Sequence, residues 1–215
     1  MTSAPSLVPA TKTVHIFRWV QAPAGTQPRL PLHEGIVLPT GRLRCFSPEE
    51  CSRMIRIGEA IEPRTALTGD GGAITAYEHR RSTVRQLLPG EEAHRWIFDR
   101  IEDVVAVARN HFGFELTGFY EGAQYYEYPT GGFLDAHMDI GRGHMSTRKL
   151  GVSVQLSDGA TYEGGDLEFL SSRQKAPREL GSVIVFPAYM MHHVTNVTRG
   201  VRKCLVSWVH GPPFR

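Results

Sequence analysis

Two residues in the stretch GGFLDAHMDIG, Gly131 to Gly141, have types and spacing that could do chemistry: His137 and Asp139 stand one residue apart. Side chains at i and i+2 of a strand project to one face. An imidazole and a carboxylate would therefore point together out of an otherwise apolar, glycine-rich run, with Asp135 placed to join them. The pair is either a solvated strand edge or part of a metal site, and a metal site needs a third ligand. The C-terminal run FPAYMMHHVTNVTRGVRKCLVSWV offers two candidates, His192 and His193. Two imidazoles and one carboxylate form the facial set that suits Fe(II), because coordination positions stay open for a co-substrate and for O2.

Arg202 follows ten residues after His192 and opens the last apolar strand pattern, RKCLVSWV. A guanidinium fork in a buried pocket wants a carboxylate, and no acidic residue stands near it in sequence. A bound dicarboxylate answers that need. 2-Oxoglutarate would chelate iron through its 2-oxo acid end and reach Arg202 with its far carboxylate.

These side chains need a scaffold. The chain has 215 residues, 41% hydrophobic and 21% charged, enough for one domain with a real core. Residues 1–44 are proline-rich and read as an irregular arm, and residues 45–215 as the working domain. Ser47, Pro48 and Glu50 form a capping-box pattern that predicts a helix from Ser47, with Cys51, Met54, Ile55 and Ile61 near one face. The segment RTALTGDGGAITAYEHRRS, residues 64–82, reads as a mobile loop, and His79, Arg80 and Arg81 in it as a solvated charge run. Helical spacing returns from about Glu91 to Phe112 and stops at Gly113. From Gly118 onward the period is two, in GAQYYEYPTGGFLDAHMD, LGVSVQLSD, GGDLEFLSS, GSVIVFPAY and RKCLVSWVHG. Two helices followed by many short strands predict an α+β fold with a sandwich or jelly roll. Tyr125 and Tyr126 read as packing residues, His144 as a loop residue, Cys204 as core, and Trp208 as either pocket wall or core.

Net charge is +2, which demands neither nucleic acid nor an anionic membrane as partner. Three cysteines, Cys45, Cys51 and Cys204, without a CxxC pair form neither a disulfide framework nor a zinc ribbon. No signal peptide pattern is visible, and no window approaches the roughly 18 apolar residues of a membrane span. The expected setting is the reducing cytoplasm.

His137-Met138-Asp139, His192 in its HHVTNV context and Arg202 together resemble the Fe(II)/2-oxoglutarate-dependent dioxygenases, specifically the prolyl 4-hydroxylase-like branch. The phrases RKLGVSVQLSD, YEGGDLEF and GSVIVFP resemble that branch too, so the resemblance covers about residues 45–215. It implies a double-stranded β-helix with N-terminal helices packed on the major sheet. It implies His137, Asp139 and His192 as iron ligands, His192 rather than His193 because Val194, Val197, Gly200 and Arg202 then fall into the family's register. Arg202 resembles the residue that pairs with the far carboxylate of 2-oxoglutarate. Tyr128 resembles the tyrosine whose hydroxyl bonds the co-substrate, and Gln155 stands where relatives carry a second polar contact. His193 stands where the family often has arginine, and Asn196 where many relatives have proline. The activity implied is hydroxylation of an unactivated C–H bond in a peptide, protein or small molecule, prolyl or other amino-acid substrates foremost, with succinate and CO2 as co-products and ascorbate as reductant. Two other readings compete. One is a non-catalytic, cupin-like metal-binding module. The other is nucleic-acid dealkylation on the same scaffold, a branch that usually carries a second arginine where this chain has Trp208.

Overall fold

The helix predicted at Ser47 forms as α1, Pro48–Glu59. Ser47 Oγ accepts from the Glu50 amide at 3.2 Å and the Ser47 amide donates to Glu50 Oε2 at 2.7 Å. Each side chain thus satisfies an amide that the first helical turn leaves without a partner. The second helix, α2, runs Glu92–Phe112 and ends on Gly113 at φ 64°, a left-handed cap that glycine adopts without steric cost. The computed structural model describes residues 14–16, 36–37, 45–65, 79–171 and 173–214.

Fifteen strands accompany these helices among the described residues. They are β1 Val14–Ile16, β2 Ile36–Val37, β3 Arg64–Thr65, β4 Arg80–Arg81, β5 Thr83–Leu87, β6 Ala123–Tyr128, β7 Phe133–His137, β8 Arg148–Gln155, β9 Glu163–Gly164, β10 Leu167–Phe169, β11 Gln174–Lys175, β12 Val183–Pro187, β13 His192–Val194, β14 Val197–Arg199 and β15 Arg202–His210. Eight of them form the major sheet in the order β2-β1-β12-β8-β15-β6-β5-β3, and five form the minor sheet, β11-β10-β13-β7-β4. The pair β9–β14 stands apart. The expected jelly-roll sandwich is therefore present, with both helices on the major sheet's outer face. Cys51, Met54, Ile97, Ile101 and Val104 pack there against inward residues of β8, β12 and β15 in one apolar cluster. A second cluster, including Tyr126, Tyr128, Phe169, Phe186 and Val194, fills the space between the sheets.

Several sequence expectations change. The 64–82 segment is not one loop. Its ends pair as β3 against β5 and β4 against β7, and residues 66–78 lie outside the described residues. Its pattern hid these strands because two-residue elements carry no readable period. GGDLEFLSS is not a single strand. Gly164 and Gly165 take positive φ, so the chain turns between β9 and β10. Two stretches of the proline-rich N-terminal segment are strands, β1 running parallel to β12 and β2 antiparallel to β1, while the rest of 1–44 lies outside the described residues.

Candidate active site

The minor sheet positions two of the three candidate ligands. His192 on β13 stands opposite His137 on β7, and Val194 stands opposite Leu134. Two steps on β13 thus match three on β7, which makes β7 bulged at Asp135–Ala136. Alternation would have carried Asp135 into the site. The bulge leaves it half exposed and ion-paired with His79 at 3.0 Å instead, while its carbonyl accepts from His137 Nδ1 at 3.0 Å. The Met190 carbonyl accepts from His192 Nδ1 at 2.8 Å. A carbonyl only accepts, so each Nδ1 carries the proton and each Nε2 keeps a free lone pair.

Both lone pairs face Asp139. His137 Nε2 lies 3.6 Å from Asp139 Oδ1 and His192 Nε2 lies 3.8 Å from Oδ2. The ligand atoms of the three residues all fall within 4.8 Å of one another. Asp139 and His192 are buried, and Asp139 Oδ2 has no hydrogen-bond donor. A buried carboxylate oxygen without a partner is costly unless a cation meets it, so this donor set fits a divalent metal. Burial opposes ionisation of Asp139, but the two imidazoles and Arg148 outweigh it and hold the carboxyl well below the usual range. Burial pushes His192 down to about 4, so the ring stays neutral, the form a metal needs. Gly151 lets Asp139 come close, since a Cβ there would meet Asp139 Oδ2 at 2.9 Å and the Phe186 ring at 2.6 Å.

The ligands open onto a cavity of about 460 Å³ between the sheets. Arg202, Cys204, Val206 and Trp208, alternate residues of β15, form one wall. Tyr126 and Tyr128 on β6 form the next, Tyr128 paired across the ladder with Arg202. Arg202 is 4% exposed and its Nη1 donates to Cys204 Sγ at 3.4 Å. Among the described residues no carboxylate lies within ion-pair reach of it. The Tyr128 ring sits 5.5 Å from its guanidinium carbon. Gln155 is not in this cavity. Its amide donates to the Ser157 carbonyl and the Tyr162 hydroxyl, both at 2.9 Å, in a smaller cavity that Arg202 also borders. His193 points away and pairs with Glu168 at 3.1 Å. Tyr125 lies in the helix-side core and His144 is exposed, while Tyr126 and Trp208 both reach the cavity.

Two arginines that sequence reasoning did not assign also line the cavity. Arg148 is held by Glu121 through Nε at 2.6 Å and Nη2 at 2.5 Å, lies 3.8 Å from the Trp208 ring centroid, and donates through Nη1 to the Asp139 carbonyl at 3.0 Å. It thereby fixes the backbone of a ligand. Arg80 is not part of a solvated charge run. It is 9% exposed, stacked 4.2 Å over Tyr126, with Nη2 3.5 Å from the Tyr128 hydroxyl. The strand pairing of β4 with β7 turned one of three consecutive charged residues inward, which a run of charges conceals.

Residues 123–210 match the family described as the 2OG-Fe(II) oxygenase superfamily. A PKHD-type hydroxylase of Synechococcus sp. (strain CC9311) is 36% identical over 80 residues, 36% of each chain. Another, from Paraburkholderia xenovorans (strain LB400), is 28% identical over 149 residues, 65% of this chain and 66% of the relative. The chain thus spans less than two thirds of the length of each of these curated relatives. In fold it is similar to the crystal structure of a Pseudomonas putida prolyl-4-hydroxylase, with a TM-score of 0.61 at 19% identity over 79% of this chain and 90% of that one. Residues 123–210, which carry His137, Asp139, His192 and Arg202, are thus similar to the 2OG-Fe(II) oxygenase superfamily, and the double-stranded β-helix around them is similar in fold to a prolyl-4-hydroxylase.

Proposed function

We propose that this protein is a Fe(II)- and 2-oxoglutarate-dependent hydroxylase acting on an amino-acid or peptidyl substrate, prolyl foremost. The observation that carries the reading is one cavity with a preset metal-ligand triad and a buried arginine that no carboxylate among the described residues reaches. When bound, iron and 2-oxoglutarate would activate O2, the oxidant for an unactivated C–H bond, with one oxygen atom going to the substrate and the other to succinate as CO2 leaves. The chain's own residues do the rest. His137, Asp139 and His192 would hold the metal on one face and leave the other open. Arg202 would receive the far carboxylate through its fork, and the Tyr128 hydroxyl would add a donor beside it. Gln155 holds the Tyr162 hydroxyl behind Arg202, a polar contact once removed. Trp208, Phe186 and Leu167 line the cavity with apolar surface that excludes water.

The hydroxylase names of the relatives and the prolyl-hydroxylase fold support this reading. Among the described residues no helix is long and apolar enough to cross a membrane. A reducing, cytoplasmic setting is part of the proposal, since Cys45, Cys51 and Cys204 are all buried thiols. The test is an anaerobic titration of Fe(II)-loaded protein with 2-oxoglutarate. A visible metal-to-ligand charge-transfer band is expected, and it should need more than about tenfold higher 2-oxoglutarate in Arg202→Ala, the loss of a charge-assisted contact. Bound Fe(II) without a band would favour the non-catalytic metal-binding module.

A further inference from the structure

The cavity holds more positive charge than the proposed reaction uses. Three guanidinia line it, on Arg80, Arg148 and Arg202. Arg148 is neutralised by its two bonds to Glu121. Asp139 is the acid at the metal site, and His137 and His192 would hold a metal as neutral imidazoles. A divalent metal and a doubly charged co-substrate cancel each other. With Asp139 set against one of the two remaining arginines, one positive charge is left over in the cavity.

Arg80 is where that charge is accessible. It sits on β4, the strand beside ligand-bearing β7, paired with Leu134. Its Nε donates to Ser82 Oγ at 3.0 Å and Nη2 meets the Tyr128 hydroxyl at 3.5 Å, so the fork is held in place by neutral groups. No carboxylate among the described residues reaches it. Tyr128 touches Arg80 at its hydroxyl and Arg202 across its ring, so the two arginines flank one tyrosine. A buried guanidinium fixed by neutral partners is expensive to keep unless an anion visits it.

We propose that Arg80 receives a carboxylate of the substrate, so that this enzyme acts on a free amino acid, or another molecule with an intact carboxylate beside the reacting carbon, in preference to a residue inside a peptide chain. The inference rests on the hydroxylase reading above. It adds a second anion site to the cavity, at Arg80 beside the Tyr128 hydroxyl, whereas Arg202 lies against the Tyr128 ring.

Acetate is the probe, with acetamide as its neutral isostere. Protein loaded with Mn(II) and saturating 2-oxoglutarate is mixed with each, and the methyl-proton relaxation is measured. Saturable enhancement is expected for acetate and none for acetamide. Arg80→Gln should weaken the acetate effect by more than about tenfold and Arg80→Lys should retain part of it, as for loss and conservation of a charge-assisted bond. The 2-oxoglutarate affinity of both variants should stay within about threefold of the parent. The acetate–acetamide contrast uses the unaltered protein and stands even where a variant folds poorly. Equal effects of acetate and acetamide would overturn the proposal. So would an acetate effect that persists in Arg80→Gln, which would place the acetate on the metal. A tenfold loss of 2-oxoglutarate affinity in Arg80→Gln would overturn it too, giving Arg80 to the co-substrate. Failure of the parent reading is separate: the Mn(II)-loaded protein would then not bind 2-oxoglutarate at all.

Discussion

The major sheet has two faces made from alternate residues of the same strands, and they have opposite characters. Toward the helices, β8 presents Leu150, Val152 and Val154, β12 presents Val183 and Val185, and β15 presents Leu205 and Val209, all in one apolar cluster. Toward the minor sheet, β8 presents Ser153 and β15 presents Arg202 and Trp208. The first face follows the rule that burial of an aliphatic side chain contributes roughly 1.5–3 kcal/mol. The second breaks it, with a guanidinium that no carboxylate neutralises and a Trp208 Nε1 without an acceptor among the described residues. The difference teaches where the molecule keeps its stability and where it spends it. A strand period of two lets the nine residues of β15 serve both ends, with the buried Ser207 hydroxyl, among the described residues, the one polar group left unpartnered on its helix-facing side.

That division can be broken or sharpened by experiment. The largest effect belongs to the metal face: His137→Ala and Asp139→Ala should each lower Fe(II)-dependent succinate release by more than about a hundredfold. Both should leave the metal-free protein folded, with Asp139→Ala the more destabilised, since the groups around Asp139 favour its charge. Unfolding of these variants would end the division. Next comes the helix face, where Leu205→Ala should cost about 2–5 kcal/mol in denaturant unfolding while Fe(II) and 2-oxoglutarate affinities hold. The smallest effect is in pH. His192 binds its proton near its ordinary value of 6.5 in the unfolded chain and near 4 in the fold. Between those values the unfolded chain takes up a proton that the native protein does not, so metal-free stability should fall as pH falls from about 6.5 toward 4, by at most about 1.4 kcal/mol per pH unit. His192→Gln should flatten that slope, and Leu205→Ala should leave it unchanged.

Much of this was legible in the letters. The capping box of α1, the glycine stop of α2 and the period-two runs of β6, β8, β12 and β15 each follow from local chemistry that a single chain displays. The triad was legible because two ligands sit one residue apart and the third lies next to a strongly apolar strand. What stayed hidden depends on pairing between distant segments. The inward turn of Arg80 is set by β7, and the neutralisation of Arg148 is set by Glu121, 27 residues earlier. Asp135 had the right parity for the site and lost it to one extra residue in β7. Periodicity reads a strand as regular, so a bulge is invisible until the partner strand is known.

That extra residue reaches beyond geometry. Both imidazoles are readied by main-chain oxygens, those of Asp135 and Met190, and a main-chain oxygen is the same whatever letter the codon spells. A survey that replaces side chains one at a time would therefore read position 135 by its His79 ion pair and position 190 by its buried side chain, and pass over the main-chain groups that set the tautomers of two ligands. The inheritance of this site is guarded by spacing more than by spelling: a codon gained or lost between Leu134 and His137 threatens it more than a change of letter at Asp135.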